Sequence, residues 1–184
     1  MKLFWTGTDV LFMNTIPPGT RLRFKIKILA FRYLAKIMQS FIEANYVVSE
    51  HLLSELNLRK MEVMPDRVKY SQKYKKVRHK GIKVLYYHPK DKNNPKFIRW
   101  LYGIDIIDHL KVMFPEVLWI RADGTMDLSK IFPFVDYYVR PNRHDGHPRL
   151  IDECIINEIP YYWSKSDPDS NEIIKGLTNI IKGN

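Results

Sequence analysis

Short apolar runs alternate with longer segments of helical periodicity through the second half of the chain. Such runs predict strands, whereas apolar residues that recur every three or four positions predict helices. The expected strands are 81–89, 117–124, 135–142 and 159–164, and the expected helices are 96–114, 148–158 and 170–183, with a short helix or turn at 127–134. Strands that alternate with helices over short connections are typical of a parallel sheet covered on both faces. We therefore expect an α/β fold with a Rossmann-like parallel sheet.

The first half of the chain has a less regular pattern. Residues 4–13 predict a short buried strand ending in a turn, and the Pro and Gly content of 14–20 predicts a loop. A strand at 46–48 and a helix beginning near Ser49 follow further on. Between them, the stretch 21–44 is predicted to be a helix because its apolar residues follow helical spacing: Phe24, Ile28, Phe31, Leu34, Met38 and Phe41.

A charged stretch separates the two halves. Residues 59–81 are rich in Lys and Arg around Pro65, and we expect an inter-domain linker at 65–80. The chain is thus predicted to consist of a shortened N-terminal α/β portion at 1–64, the linker, and a Rossmann-like domain at 81–184.

Composition and charge narrow the class of protein. The chain has 184 residues, 45% of them hydrophobic, which is enough for a sizeable core. Its single cysteine, Cys154, excludes an internal disulfide and is expected to be buried. No signal peptide follows Met1, and the longest apolar runs are too short to span a bilayer, so we expect a cytoplasmic protein. The net charge of +10 favours anionic partners: nucleic acid, anionic lipid or phosphorylated small molecules.

The predicted helix within 21–44 concentrates basic residues. Between Phe24, Ile28, Phe31 and Leu34 stand six cations, namely Arg21, Arg23, Lys25, Lys27, Arg32 and Lys36. This pattern is compatible with an interfacial helix that makes a peripheral membrane contact through residues 21–36. The simpler alternative is a helix that packs on the core and presents a solvated basic face.

Cations also cluster in the loops that follow the predicted strands. In a doubly wound sheet, ligands bind beyond the carboxyl ends of the strands. Those loops place the following residues at one edge of the sheet: Arg121, Arg140, Arg143, His144 and His147, with Lys90 and Lys96 nearby. A diphosphate requires such a cluster, because its negative charges must be neutralised when water is displaced.

The loop 143–148 adds a second element for binding phosphate. Gly146 permits close backbone approach, and Pro148 suits the first position of a helix. The N–H groups at the start of that helix would point at a phosphate. Glu153 is expected in the first turn, where a carboxylate is also favourable on dipole grounds alone.

The sequence from 135 to 164 resembles the donor-binding signature of the GT-B glycosyltransferases of the family-4 type. Those enzymes carry an acidic pair spaced E-x7-E, and the matching positions here are Asp145 and Glu153, with Asp in place of the first Glu. The resemblance implies that this pair serves catalysis, with Glu153 holding the ribose and Asp145 facing the sugar. It further implies that backbone N–H groups of residues 146–150, from Gly146 through Arg149 to Leu150, meet the diphosphate.

Other stretches are similar to the same family. WTGTDVL resembles the end of its first domain, NYVVSEHLLSEL the next strand and helix, and MEVMP the crossing to the second domain. By this resemblance, residues 1–64 are a remnant of an acceptor-side domain and 81–184 bind the nucleotide sugar. The loop after the first strand of the second domain lacks the family's Gly-Arg pattern, and Lys90 or Lys96 stands in its place.

The leading functional hypothesis is a retaining glycosyltransferase that uses a nucleotide-diphosphate sugar, an unknown acceptor and no cofactor. The alternative is a donor-binding subunit or inactive module that needs a partner chain or a second copy, since a full enzyme of this class would carry a complete N-terminal domain. A basic nucleic-acid binder is less well supported, because no recognised motif is present. The histidines lack metal-ligand spacing, and the D-x-D sequence at Asp167 and Asp169 is interpreted as a helix cap, so no metal site is expected.

Overall fold

The computed structural model describes residues 2–5, 7–16, 20–41, 44–47, 51–56, 58, 60–63, 73–90, 95–146, 148–165 and 167–183. The chain divides into two compact units. The first comprises Met1–Val68 together with His144–His147, and the second comprises Lys69–Arg143 together with Pro148–Asn184.

The first unit contains a small parallel sheet with the strand order β1-β2-β3. Its elements are β1 (Lys2–Trp5), α1 (Gly7–Asn14), α2 (Leu22–Met38), a 3-10 turn (Gln39–Phe41), β2 (Ala44–Val47), α3 (His51–Leu56) and β3 (Met61–Val63). Trp5, Val10, Ala35, Leu52 and Leu56 form the core of this unit.

One element of the first unit differs from the sequence prediction. Residues 7–14, expected to continue a strand into a turn, form the helix α1, whose Val10 and Leu11 are buried. A short apolar run does not distinguish a strand from a buried helix, and here the run at 4–13 contains one of each. The predicted helix within 21–44 is confirmed as α2. The predicted start of the next helix near Ser49 lies outside the described residues.

The second unit contains a four-stranded, wholly parallel sheet with the order β5-β4-β6-β7. Its elements are β4 (Lys83–Tyr87), α4 (Pro95–Leu101), α5 (Ile104–Met113), β5 (Leu118–Ala122), 3-10 turns at Leu128–Lys130 and Phe132–Phe134, β6 (Tyr137–Arg140), α6 (Arg149–Ile156), β7 (Tyr161–Trp163) and α7 (Ser170–Gly183). The predicted α/β class and the parallel sheet are confirmed.

Side chains that alternate along the strands supply a core on each face of this sheet. Val84 of β4 belongs to the cluster that includes Ile107 of α5 and Leu177 of α7. The next residue, Leu85, belongs to the opposite cluster, which includes Cys154 of α6. Cys154 is fully buried, as expected, and this burial raises the pKa of its thiol. Because both faces are covered, the strands are almost continuously apolar.

The segment 96–114, expected to be one helix, forms two. Gly103 separates α4 from α5 with a φ of +59°, a left-handed conformation that L side chains rarely adopt. A Cβ atom at this position would lie 2.1 Å from the carbonyl oxygen of Pro141. The break therefore lets the turn between the helices approach the backbone that follows β6, a contact that helical periodicity does not report.

Residues 73–80, the described part of the segment predicted as a linker, belong to the second unit and pack on its other residues. The Tyr74 ring lies 6.0 Å from that of Phe132, and Lys76 Nζ lies 3.0 Å from Asp136 Oδ1.

Within the part of the chain that the structure describes, no helix has the length and apolar character needed to cross a membrane.

Candidate functional site

Arg140 lies at the carboxyl end of β6 with its side chain buried, only 6% of it being exposed. Its guanidinium carbon is 5.2 Å from the centre of the Tyr87 ring and 5.6 Å from that of Tyr102, and its Nη1 donates to the Tyr138 hydroxyl at 3.3 Å. Two aromatic faces within about 6 Å attract a cation electrostatically. They stabilise a positive charge at the edge of the sheet where the ligand was predicted to bind.

Arg143, predicted to bind the diphosphate, makes a two-pronged ion pair. Its Nη1 and Nη2 donate to the Asp105 carboxylate at 2.8 and 2.6 Å, and Nη1 also donates to the Trp100 carbonyl at 2.6 Å. The hydrogen bond from the Arg143 guanidinium holds the pKa of Asp105 below its usual value. In this structure the charge of Arg143 is thus already balanced by a carboxylate.

The backbone between Arg140 and Arg143 is anchored from two directions. Ser164, just after β7, donates from its N–H to the Arg140 carbonyl at 3.2 Å and from its hydroxyl to the Asn142 carbonyl. On the other side, the Arg143 N–H donates to the Leu101 carbonyl at 2.9 Å. A segment held this way offers fixed geometry to a ligand.

Helix α6 begins one residue later than predicted. Pro148 is its N-cap rather than its first residue, and no side chain among the described residues caps the helix there. The first residue, Arg149, is exposed, whereas Leu150 packs into the core with 9% exposure. The expectation that Glu153 lies in the first turn is wrong, because only Asp152 does. The dipole explanation for Glu153 is weakened accordingly, since the dipole effect fades beyond the first turn.

Glu153 carries the most informative atom of the site. Its Oε2 is buried and has no hydrogen-bond partner among the described residues. Leaving a buried polar atom unpaired costs about 1–3 kcal/mol, and more for a charged group. An orphaned acceptor of this kind calls for an explanation, and a ligand that donates hydrogen bonds is one.

The loop 144–147 clusters with the first unit. His144 is 7% exposed, and its Nε2 lies 2.7 Å from Oε2 of Glu55, while its buried Nδ1 has no partner among the described residues. Asp145 accepts a hydrogen bond from the Gly146 N–H at 3.0 Å. His147, also predicted to bind the donor, lies outside the described residues.

The remaining predicted cations are more exposed. Arg121 donates from Nε to the His88 carbonyl at 2.9 Å, and burial together with the Arg121 charge lowers the pKa of His88. Lys90 forms an ion pair with Asp123 at 2.6 Å, which helps to hold the pKa of that carboxyl well below its usual range. Lys96 is exposed on the first turn of α4.

Several partners of the predicted residues were not found by sequence reasoning. Tyr87 is the last residue of β4, so the predicted strand could have indicated that its side chain lies at the carboxyl edge of the sheet. Tyr102 lies in the turn created by the break at Gly103, which the predicted single helix concealed. Glu55 and Asp105 are separated from their partners by 89 and 38 positions, and no local pattern pairs residues so far apart.

Two features bear on metal binding: groups of metal-ligating side chains and the D-x-D sequence at Asp167 and Asp169. Among the described residues, no group of three or more His, Cys, Asp or Glu side chains is arranged to hold a metal ion. Asp169 precedes α7 and accepts a hydrogen bond from the Asn171 N–H at 2.8 Å. That is the geometry of an N-cap, so the interpretation of the D-x-D sequence as a helix cap is confirmed.

Comparison with known proteins supports the fold. No family model matches the chain, and no curated protein matches it. Among the solved structures, the chain is similar to TarM, a GT-B glycosyltransferase, with a TM-score of 0.52 and 12% identity, over 98% of this chain and 42% of TarM. This chain therefore has an α/β fold that matches part of a GT-B glycosyltransferase, and it spans about two fifths of the length of TarM.

Proposed function

We propose that this protein binds a nucleotide-diphosphate sugar and transfers the sugar to an acceptor. The observation that carries the proposal is the buried, unpartnered Oε2 of Glu153, on the helix that follows the strand bearing Arg140. A carboxylate with an unused acceptor position suits the vicinal hydroxyls of a ribose, each of which donates one hydrogen bond. The match to part of a GT-B glycosyltransferase supports the same assignment.

The other residues have complementary roles in this proposal. Asp145 faces the sugar, and the backbone N–H groups of residues 146, 147, 149 and 150 meet the diphosphate. Helix N-terminal N–H groups bind phosphate well because their partial positive charges add to the helix dipole. As the bond from the sugar to the diphosphate breaks, negative charge grows on the leaving oxygen, and fixed donors and cations lower the barrier. The acceptor hydroxyl oxygen then bonds to the sugar with retention of configuration, the outcome implied by the resemblance, and its proton passes to the leaving diphosphate oxygen.

A donor-binding module that needs a partner for turnover is the second candidate. It is favoured by the extent of the structural match, since this chain spans 42% of TarM. In either candidate a diphosphate would have to compete with the carboxylates that pair with two predicted ligands, Asp105 with Arg143 and Asp123 with Lys90. Turnover by the purified chain alone would exclude this candidate, whereas donor binding without turnover would favour it.

The decisive experiment is calorimetric titration with UDP, GDP and their sugars, preceded by a thermal-shift screen, since a ligand that binds the native state raises its stability. For the ligand that binds, Glu153→Gln should weaken affinity about 10- to 100-fold, the usual effect of losing hydrogen bonds to a charged group. Glu172→Gln is the matched control, because it makes the same change at an exposed position on α7. No binding to any nucleotide, or equal affinities for the two variants, would refute the proposal.

A further inference from the structure

Helix α2 has two apolar faces, and only one of them packs on the first unit. The inner face buries Ile28 and Ala35. On the same side, Phe24 makes an edge-to-face contact with Phe12 at 5.4 Å between ring centres. Of the apolar set that indicated the helix in the sequence, Ile28 is buried, Phe24 and Met38 are half-buried, and Phe31, Leu34 and Phe41 are exposed.

The opposite face presents a second apolar row to solvent. Five residues spaced four, three, four and four positions apart expose between 46% and 73% of their surface: Leu22, Ile26, Leu29, Tyr33 and Ile37. We call this row the outer stripe. At about 100° per residue its members fall on one narrow face of the helix. A contiguous exposed apolar patch of this kind marks an interaction surface rather than an ordinary scatter of surface residues.

Cations border the outer stripe on both sides. The same helical geometry places Lys25 and Lys36 along one edge and Arg23 along the other, and all three are exposed. The sequence contains no acidic residue between Asp9 and Glu43. An apolar face flanked by Lys and Arg, without carboxylates, is the pattern of a helix that lies in the plane of an anionic membrane surface.

We propose that the outer stripe is a docking surface for an anionic lipid bilayer. The five apolar side chains enter the boundary between headgroups and acyl chains. The flanking Lys and Arg side chains extend along that boundary, so that their charged ends reach the lipid phosphates. This proposal does not depend on the proposed glycosyltransferase function.

Charge complementarity selects this occupant over two others. A second copy docked through the same stripe would bring the rows of cations on two α2 helices together, with no carboxylate on either helix to balance them. Nucleic acid would neutralise the cations but leave the stripe in water. An anionic bilayer satisfies both the charge and the apolar surface.

The test is flotation of the purified protein with vesicles of phosphatidylcholine alone or mixed with phosphatidylglycerol. We expect binding to the mixed vesicles at least about tenfold stronger than to the neutral ones, and weaker at high salt. The double variant Ile26→Ser/Leu29→Ser should lose about tenfold or more, because it removes apolar area from the stripe. Lys25→Gln/Lys36→Gln should lose a similar factor, since each cation near an anionic surface contributes about fivefold.

Lys175→Gln/Lys182→Gln is the matched control, because it removes the same charge from exposed positions on α7. It should retain most of the binding. Equal binding to neutral and anionic vesicles, no binding to either, or an equal loss in the control would overturn the proposal. So would sedimentation showing a dimer that Ile26→Ser/Leu29→Ser converts to a monomer while vesicle binding is unchanged. Circular dichroism of each variant verifies that α2 remains folded.

Discussion

Replacing Gly103 with Ala tests whether the turn between α4 and α5 is fixed by the backbone beyond β6. The change has two separable effects. A non-glycine residue at a φ of +59° costs of the order of 1 kcal/mol. In addition, the new Cβ would lie 2.1 Å from the Pro141 carbonyl oxygen, where contacts below 3.0 Å essentially never occur. Either Pro141 or the turn must then shift, and overpacking of this kind costs about 1–3 kcal/mol.

Gly81 provides the matched control for that prediction. It also has a positive φ, +71°, but a Cβ there would meet nothing within 4 Å. Both glycines belong to the second unit. Urea unfolding followed by tryptophan fluorescence therefore measures the stability of the same unit in both variants. We expect Gly81→Ala to lower the free energy of unfolding by about 1 kcal/mol and Gly103→Ala by about 3 kcal/mol. Equal losses would refute the close approach of Pro141.

Two further predictions concern titratable groups. Because the pKa of Asp105 is depressed in the folded state, its pairing with Arg143 stabilises the protein above the unfolded pKa of about 4 and is lost as pH falls through the folded pKa. Asp105 is 60% exposed, so Asp105→Asn should cost less than about 1 kcal/mol in urea unfolding at pH 7. The cost should become progressively smaller as the pH falls below about 4, and a cost that stays constant through that fall would contradict the reasoning. Burial raises the pKa of Cys154, so a disulfide reagent should modify its thiol only after denaturation. Rapid labelling of the native protein would contradict this, because it would show that the thiol is accessible.

The candidate site could be predicted only in part from the sequence. The sequence placed Arg140 at the end of a strand and Glu153 on the following helix, because strand and helix periodicities are local properties of the chain. It did not show that Arg143 is paired with Asp105, or that Arg140 lies within about 6 Å of the ring centres of both Tyr87 and Tyr102. Those neighbours are distant in sequence, so the charge that each arginine offers to a ligand depends on long-range packing.

The sequence by itself determined the alternating strands and helices of the second unit and the existence of α2. It did so because the apolar residues recur with the periods of those structures. Only the tertiary structure decided which surfaces those elements bury. Helix α2 is apolar on both sides, and periodicity indicates the helix without saying that Ile28 faces the core while Leu29 faces solvent. Similarly, the residues 96–114 have one helical period, and the close approach of Pro141 to Gly103 divides them into two helices. In each case the outcome depends on what another part of the chain brings into contact, which no local pattern of polar and apolar positions contains.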